Sequence, residues 1–289
     1  MIYQHTLIVF NPAAQGGKSH LALTPYLTIL KQEGFAYSLY QTNGNDDTEK
    51  IQKLMNEHPF DLISIVGGDG TINITLQALP HFDTPLHIIP AGTGNDLVKM
   101  LYANQSLQRI LQIPFNNQQE FSSIDVWTCN QKRFINGFGA GFDGAIAQKT
   151  QLKKILFSSQ AKYWIEIIKH LFIYRSFQAK INGENKQVFM LSAANGKVYG
   201  GGFKVAPNAN ISDGKLEIIL CKRVSLFKRM YFLPLVKLGR HLHKSAIEYQ
   251  QLEEITIASD CPIPAQLDGE PLIEKNFHIR KTGQVKVIV

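Results

Sequence analysis

The sequence predicts an N-terminal α/β domain with an open parallel sheet, followed by a mostly antiparallel β domain. Three observations predict it. Strand and helix signals alternate through about the first 130 residues. The run DLISIV at 61–66 is apolar without interruption, as suits a parallel strand covered on both faces. Beyond residue 123, hairpin signals take over, including Asn182-Gly183 between two alternating runs. The expected division is 1–123, 124–275, and a last strand, 276–289, that is free to return to the first domain.

Each element has a local reason. Residues 6–10 form an apolar strand, and 19–33 a helix stopped by Gly34. Residues 35–42 are a second strand. The helix at 47–58 opens with acidic residues, which suit the positive end of its dipole. Strand 61–66 leads to helix 71–79, strand 86–89 and helix 95–102. The order βαβα implies ligands at the carboxyl ends of the strands. In the second half, IDVWTCNQKRFINGF reads as two strands around Asn130-Gln131. FQAKINGENKQVFMLSAAN reads as a hairpin, and KLEIILCK, EEITIAS and QVKVIV as further strands. Helical inserts are expected near 145–173 and 225–243. No internal repeat or low-complexity stretch is visible.

Composition narrows the function. The chain has 289 residues, 44% of them apolar, enough for a substantial core. A formal charge of +7 favours an anionic partner: a nucleotide, a nucleic acid or an anionic membrane surface. Cys129, Cys221 and Cys261 share no metal-like spacing and suggest buried thiols in a reducing compartment. The first ten residues read as a strand and not a signal peptide, and no apolar run approaches the ~18 residues that span a bilayer. The expectation is a cytoplasmic protein, free or peripherally associated with the membrane.

Three glycine-rich turns follow strands of the first domain: 11–17 (NPAAQGG), 67–71 (GGDGT) and 91–96 (AGTGND). Turns after parallel strands open on one edge, and glycine lets backbone N–H groups approach phosphate oxygens. The helix expected near Thr71 aims its free N–H groups at the same edge. Thr71 and Thr93 add hydroxyls, and Asn11 and Asn95 add amides. Gly17-Lys18-Ser19 resembles the end of a phosphate loop, but Pro12 stands where its first glycine belongs. Phosphate binding is therefore distributed over several turns, and Lys18 need play no phosphate-loop role.

With FNP at 10–12, GGDGT at 67–71, PAGTGND at 90–96, YGGGFKVAPNANISDGKL at 199–216 and LDGE at 267–270, the chain resembles the diacylglycerol kinase catalytic-domain family. That family includes bacterial lipid kinases and sphingosine kinases. The blocks span nearly the whole chain in family order. The resemblance implies an ATP- and Mg²⁺-dependent lipid kinase acting at an anionic membrane surface. Its first domain would be similar to those of phosphofructokinase and NAD kinase, its second a β-sandwich, with the active site between them. The nucleotide site would then comprise Asn11, Pro12, Ala13, Ala14, Gln15, Thr42, Gly67, Gly68, Asp69, Gly70, Thr71, Asn73, Thr93 and Asn95. Asp69 would hold Mg²⁺ directly or through water. A second, structural Mg²⁺ would map onto Asn210, Asp213 and Lys215. The chain departs from the family at Ala14, Gln15 and Ile74.

The resemblance places the catalytic base at Asp268 or Glu270. If QLDGEPL is extended, both carboxylates point to one side, with Gly269 leaving room for substrate. The residues alone read D-G-E as a hairpin turn. Asp213-Gly214 is likewise a common turn pair, and Asp125 suits either a carboxylate–water network or a salt bridge. The glycines at 139–144 match G-x-G-x-x-G, but no strand ending in an acidic residue follows about 20 residues on. They are expected to line the cleft. Segment 222–244 mixes Arg223, Lys228 and Arg229 with Phe227, Tyr231 and Leu233, a composition suited to membrane docking or to packing on the β domain. Residues 149–169 are a second such segment. Edge strands of the second domain offer a homodimer surface. Two other readings are a soluble-substrate kinase like NAD kinase, and a nucleotide- and lipid-binding regulator without turnover. Nucleic acid is not expected as a partner.

Overall fold

The computed structural model describes residues 3–103, 105–154 and 160–289, with side chains outside 151–163. The chain forms two compact units: one up to Val126 together with Gly283–Val289, the other Trp127–Thr282.

In the first unit, β1 (His5–Phe10), β2 (Ala36–Gln41), β3 (Leu62–Gly67) and β4 (Leu86–Pro90) pair in parallel, β1 lying between β2 and β3 and β3 between β1 and β4. Every residue of β3 is buried, as its unbroken apolar run requires. The helices are α1 (His20–Gln32), α2 (Asp47–Glu57), α3 (Asp69–Ala78), α4 (Asp96–Tyr102) and α5 (Leu107–Gln112). Helix α1 ends before Gly34, whose φ of 72° only glycine adopts cheaply. The acidic start of α2 does more than face a dipole: the Asp47 carboxylate accepts from Asn43 N, Gly44 N and Tyr40 Oη. Helix α3 begins two residues before the expected Thr71, which puts Asp69 in its first turn. Tyr102 Oη donates to Ile288 O, and Val287 pairs in parallel with Leu86.

Strands β5 (Phe121–Cys129) and β13 (Glu270–Ile288) belong partly to each unit, and the second unit also contains β6 (Lys132–Phe134), β7 (Gly137–Gly141), β8 (Phe177–Ile181), β9 (Glu184–Ala194), β10 (Leu216–Lys222), β11 (Ile247–Leu252) and β12 (Glu254–Leu267). Its pairings are antiparallel: β9 with β7, β8 and β10; β10 with β11; β12 with β7, β8 and β13. Over the described residues, antiparallel pairings outnumber parallel ones. The β8–β9 hairpin turns at Asn182 and Gly183, both at positive φ, as a two-residue hairpin requires.

Strand alternation sorts this unit into two apolar layers. Leu191, Ile218 and Leu220 join a core with Trp127, Phe138 and Phe277. Ile219 and Phe189 face the other way, against Phe142, Leu171 and Phe203. That second layer is covered by α6 (Phe142–Lys154), α7 (Gln160–Ile173) and α8 (Leu226–Leu238). Trp127 is fully buried and donates its indole N–H to Asn195 Oδ1.

Gly139 and Gly144 do not line a cleft, contrary to expectation. A Cβ at Gly144 would overlap the backbone of Ala265, and one at Gly139 would overlap the Asp143 carboxylate. These glycines let α6 lie directly on β7 and β12.

Candidate functional site

Because the strands of the first unit run parallel, their carboxyl ends gather the predicted turns. Asn11 N donates to Val66 O, Thr42 N to Phe10 O and Ala91 N to Gly67 O. The Asn11 amide donates to Thr71 Oγ1, joining the first turn to the second. Gln15, Gly16 and Gly17 are consecutively left-handed, at φ 53°, 65° and 87°. The second and third turns touch backbone to backbone. A Cβ at Gly68 would lie 2.9 Å from Gly92 Cα, and one at Gly92 would lie 2.6 Å from Asn95 Oδ1. Asn95, at φ 52°, closes its own loop by accepting from Gly92 N and donating to Gly92 O.

Exposure divides the predicted residues. Ala13, Gln15, Lys18 and Thr93 are exposed, Asn11, Pro12, Gly68 and Gly70 partly so. Thr42, Thr71 and Asn73 are buried and support the turns from behind. Asp69 is the electrostatic centre. Burial, followed by the nearby charge of Asp96, raises its pKa, against donation from the N–H groups of Asp96 and Asn95. Its Oδ1 is buried without a hydrogen-bond partner. A hard dication would satisfy that oxygen and relieve the repulsion, so the residues present fit Mg²⁺ here. Asp125, at the end of this unit, accepts from Gln284 Nε2 at 2.7 Å.

Asn210, Asp213 and Lys215 share one exposed turn. Asn210 Oδ1 accepts from Ser212 N and Oγ, and Asp213 Oδ1 accepts from Lys215 N. These oxygens cap a turn. Among the described residues no group of three or more His, Cys, Asp or Glu is arranged to hold a metal ion.

In the second unit the D-G-E segment is not extended. Asp268 and Gly269, at φ 49° and 90°, form a two-residue hairpin turn that pairs Leu267 with Glu270. The turn reading, available from the residues alone, is the correct one; Asp-Gly has the positive φ preference that such hairpins need. The Asp268 carboxylate accepts from Ile135 N at 2.9 Å, Asn136 N at 2.9 Å and Gly137 N at 2.8 Å. Asp268 N donates back to Gly137 O. Asp268 therefore fixes the 135–137 backbone as well as standing beside Glu270.

An apolar cavity of about 100 Å³ lies under α6, α7 and α8, lined by Phe142, Leu171, Phe189, Tyr199, Phe203 and Phe232 among others. Asp143, Arg229 and His241 are charged or polar groups in its wall. Burial pushes the Asp143 carboxyl up to about 6, against donation from Gln266. Burial lowers the His241 pKa. Sequence reading missed Asp143 and Gln266. An acidic residue inside the G-x-G-x-x-G block, and a glutamine two before the D-G-E aspartate, were the available signals.

Arg229 does not belong with the solvent-facing cations. Its guanidinium donates to Leu171 O and Tyr174 O, each at 2.8 Å, and stacks 4.3 Å from the Phe189 ring. It caps the carboxyl end of α7. Arg223 and Lys228 remain exposed, beside Phe227 (87% exposed), Met230 and Tyr231. Helix α7 exposes Ile165, Ile168, Phe172 and Ile173. Of the second basic segment, 155–159 and the side chains of 151–163 lie outside the described residues. Among the described residues no helix is long and apolar enough to cross a membrane.

Comparison with known proteins agrees with this arrangement. Residues 5–129 match the diacylglycerol kinase catalytic domain, and residues 136–287 the YegS C-terminal NAD kinase beta sandwich-like domain. A diacylglycerol kinase of Bacillus subtilis (strain 168) is 26% identical over 91% of this chain and 88% of its own length. The probable YegS-like lipid kinase of Chromohalobacter salexigens is 29% identical over 86% and 82%. A solved diacylglycerol kinase structure from Bacillus anthracis superposes with a TM-score of 0.72 at 22% identity, covering 100% of this chain and 97% of the other, a likeness of fold. The chain belongs to the diacylglycerol kinase family, and it is a lipid kinase.

Proposed function

We propose that this protein transfers the γ-phosphate of ATP to a hydroxyl of diacylglycerol or a related lipid, with Mg²⁺, at an anionic membrane surface. The observation that carries the reading is Asp69: a half-buried carboxylate with one buried, orphaned oxygen, set among glycine turns at the strand ends. Backbone N–H groups of those turns would hold the phosphates, and Asp69 would hold the cation. When bound, Mg²⁺ would neutralise charge on the transferring phosphoryl group. Asn210 Oδ1 and Asp213 Oδ1 are engaged in turn capping, and the cation is assigned to Asp69.

The Asp268–Glu270 turn supplies the proton acceptor. Three backbone N–H donors occupy the Asp268 carboxylate and hold it in place, and the acceptor role falls to Glu270. Glu270 stands at the start of β13, one residue past Gly269. The apolar cavity takes part of an acyl chain; about 100 Å³ is well below the ~300 Å³ at which pockets for whole small molecules begin. Asp143 suits the lipid's polar end. Phe227, Tyr231 and the exposed face of α7 suit shallow insertion in a bilayer, with Arg223 and Lys228 at the headgroups.

The test is transfer of label from γ-³²P ATP to mixed lipid extract, comparing wild type with Asp69→Ala and Glu270→Gln. Organic-phase label in the wild type and its loss in both variants support the reading. Label in a water-soluble product would favour a soluble-substrate kinase, and label in neither phase a non-catalytic role.

A further inference from the structure

We infer that Gln266 is a positioning residue, joining the carboxylate that lines the apolar cavity to the turn that carries Asp268 and Glu270. Gln266 is 3% exposed and lies on β12 opposite Gly139 of β7. Its Nε2 donates to Asp143 Oδ2 at 3.0 Å, and its Oε1 accepts from Gly269 N at 2.6 Å. Each end is selective: a carboxylate needs the amide's donor, and a backbone N–H needs its oxygen. The amide thus has one orientation, and a shift of Asp143 reaches Gly269 through one side chain.

Asp143 sits in the first turn of α6 and in the wall of the cavity. Gly139 makes room for its carboxylate, since any side chain there would overlap it. Burying a carboxylate beside an apolar cavity costs stability, and its upward shift to about 6 reflects that cost. Packing alone does not call for this pair, because an apolar side chain of similar shape at 266 would fill the same space. The pair makes sense if cavity occupancy is to be felt at the turn. This inference rests on the lipid-kinase reading, which makes the cavity a lipid site and the turn a catalytic one. The other charged or titratable groups nearby are Arg229, His241, Tyr199 and Cys221 in the cavity wall, and Asp268 and Glu270 on the turn.

Reversing the polarity of the bond tests the inference. Gln266→Glu keeps an oxygen for Gly269 N but sets a carboxylate against Asp143. Asp143→Asn still offers an oxygen to Gln266. The double variant restores the bond with its direction reversed, because the amide introduced on α6 can donate to the carboxylate introduced on β12. With MgATP and 1,2-dioctanoylglycerol in mixed micelles, Gln266→Glu should lower kcat about tenfold and leave the KM for ATP within about twofold. The double variant should regain at least about threefold over Gln266→Glu. Gln266→Leu, which lacks both bonds, should match the loss and also serves if Gln266→Glu folds poorly. A Gln266→Leu kcat within about twofold of wild type, or a double variant no better than Gln266→Glu, overturns the inference. Hydrogen exchange at Gly269 reads the coupling without turnover. Dioctanoylglycerol should slow that exchange in wild type and not in Gln266→Leu; equal responses overturn the coupling. A wild type that phosphorylates no lipid, yet shows this difference, would count against the kinase reading and for the coupling.

Discussion

Removing the Asp268 carboxylate should damage the fold as well as the chemistry. In Asp268→Ala three backbone donors, at Ile135, Asn136 and Gly137, lose their acceptor together. All three residues are buried. An unsatisfied buried donor costs ~1–3 kcal/mol, and partial access of water to the turn puts the sum near the low end, about 3 kcal/mol. For units of this size that shifts Tm by roughly 6–12 °C. Glu270→Gln keeps the turn and the shape of the side chain, so its Tm should stay within about 1 °C while kcat falls at least ~100-fold. Differential scanning calorimetry of the two variants with wild type, alongside the transfer assay, separates anchor from acceptor. A Tm for Asp268→Ala within about 2 °C of wild type would refute the anchoring argument.

Three further outcomes follow from particular contacts. The Asp143 carboxyl titrates near 6 when folded, above its ordinary 3.8, so the folded state binds its proton more tightly than the unfolded state does. The associated stability is full below about pH 4 and is lost as pH rises through 6, so Asp143→Asn should stabilise the protein at pH 7.5 by on the order of 2 kcal/mol, with the gain vanishing toward pH 4 in melting curves. Gly92→Ala would press a methyl group against Gly68 and Asn95, so calorimetric titration should show ATP affinity reduced at least ~10-fold; unchanged affinity would contradict the contact between the turns. Lys228→Glu with Phe227→Ser should reduce co-sedimentation with anionic vesicles at unchanged Tm, whereas Arg229→Met should lower Tm because the Leu171 and Tyr174 carbonyls lose their donor.

Much of the molecule was legible because its signals are local. The unbroken run of β3, the Asn182-Gly183 hairpin and the glycine turns state their conformation within a few residues. Helix α5 was not anticipated: LQRILQ is too short for periodicity to declare, and only the Ser106 cap, whose Oγ accepts from Arg109 N, marks its start. In the D-G-E segment the extended conformation failed and the turn held, because Asp-Gly specifies a turn within two residues. Residues whose meaning is tertiary stayed hidden. Nothing near Arg229 in sequence reveals that its guanidinium caps a helix more than fifty positions earlier. Gln266 and Asp143 become partners only because Gly139 and Gly144 let α6 settle onto β7 and β12. The glycine block was legible as a motif, and its purpose was not.

The most direct measurement is mass spectrometry of a bacterial total lipid extract incubated with the protein, Mg²⁺ and ATP carrying ¹⁸O in its γ-phosphate. The account predicts one class of hydroxyl-bearing lipid gaining a phosphoryl group that carries the heavy oxygen, in wild type and not in Asp69→Ala. Consumption of ATP with no lipid gaining that group would contradict it.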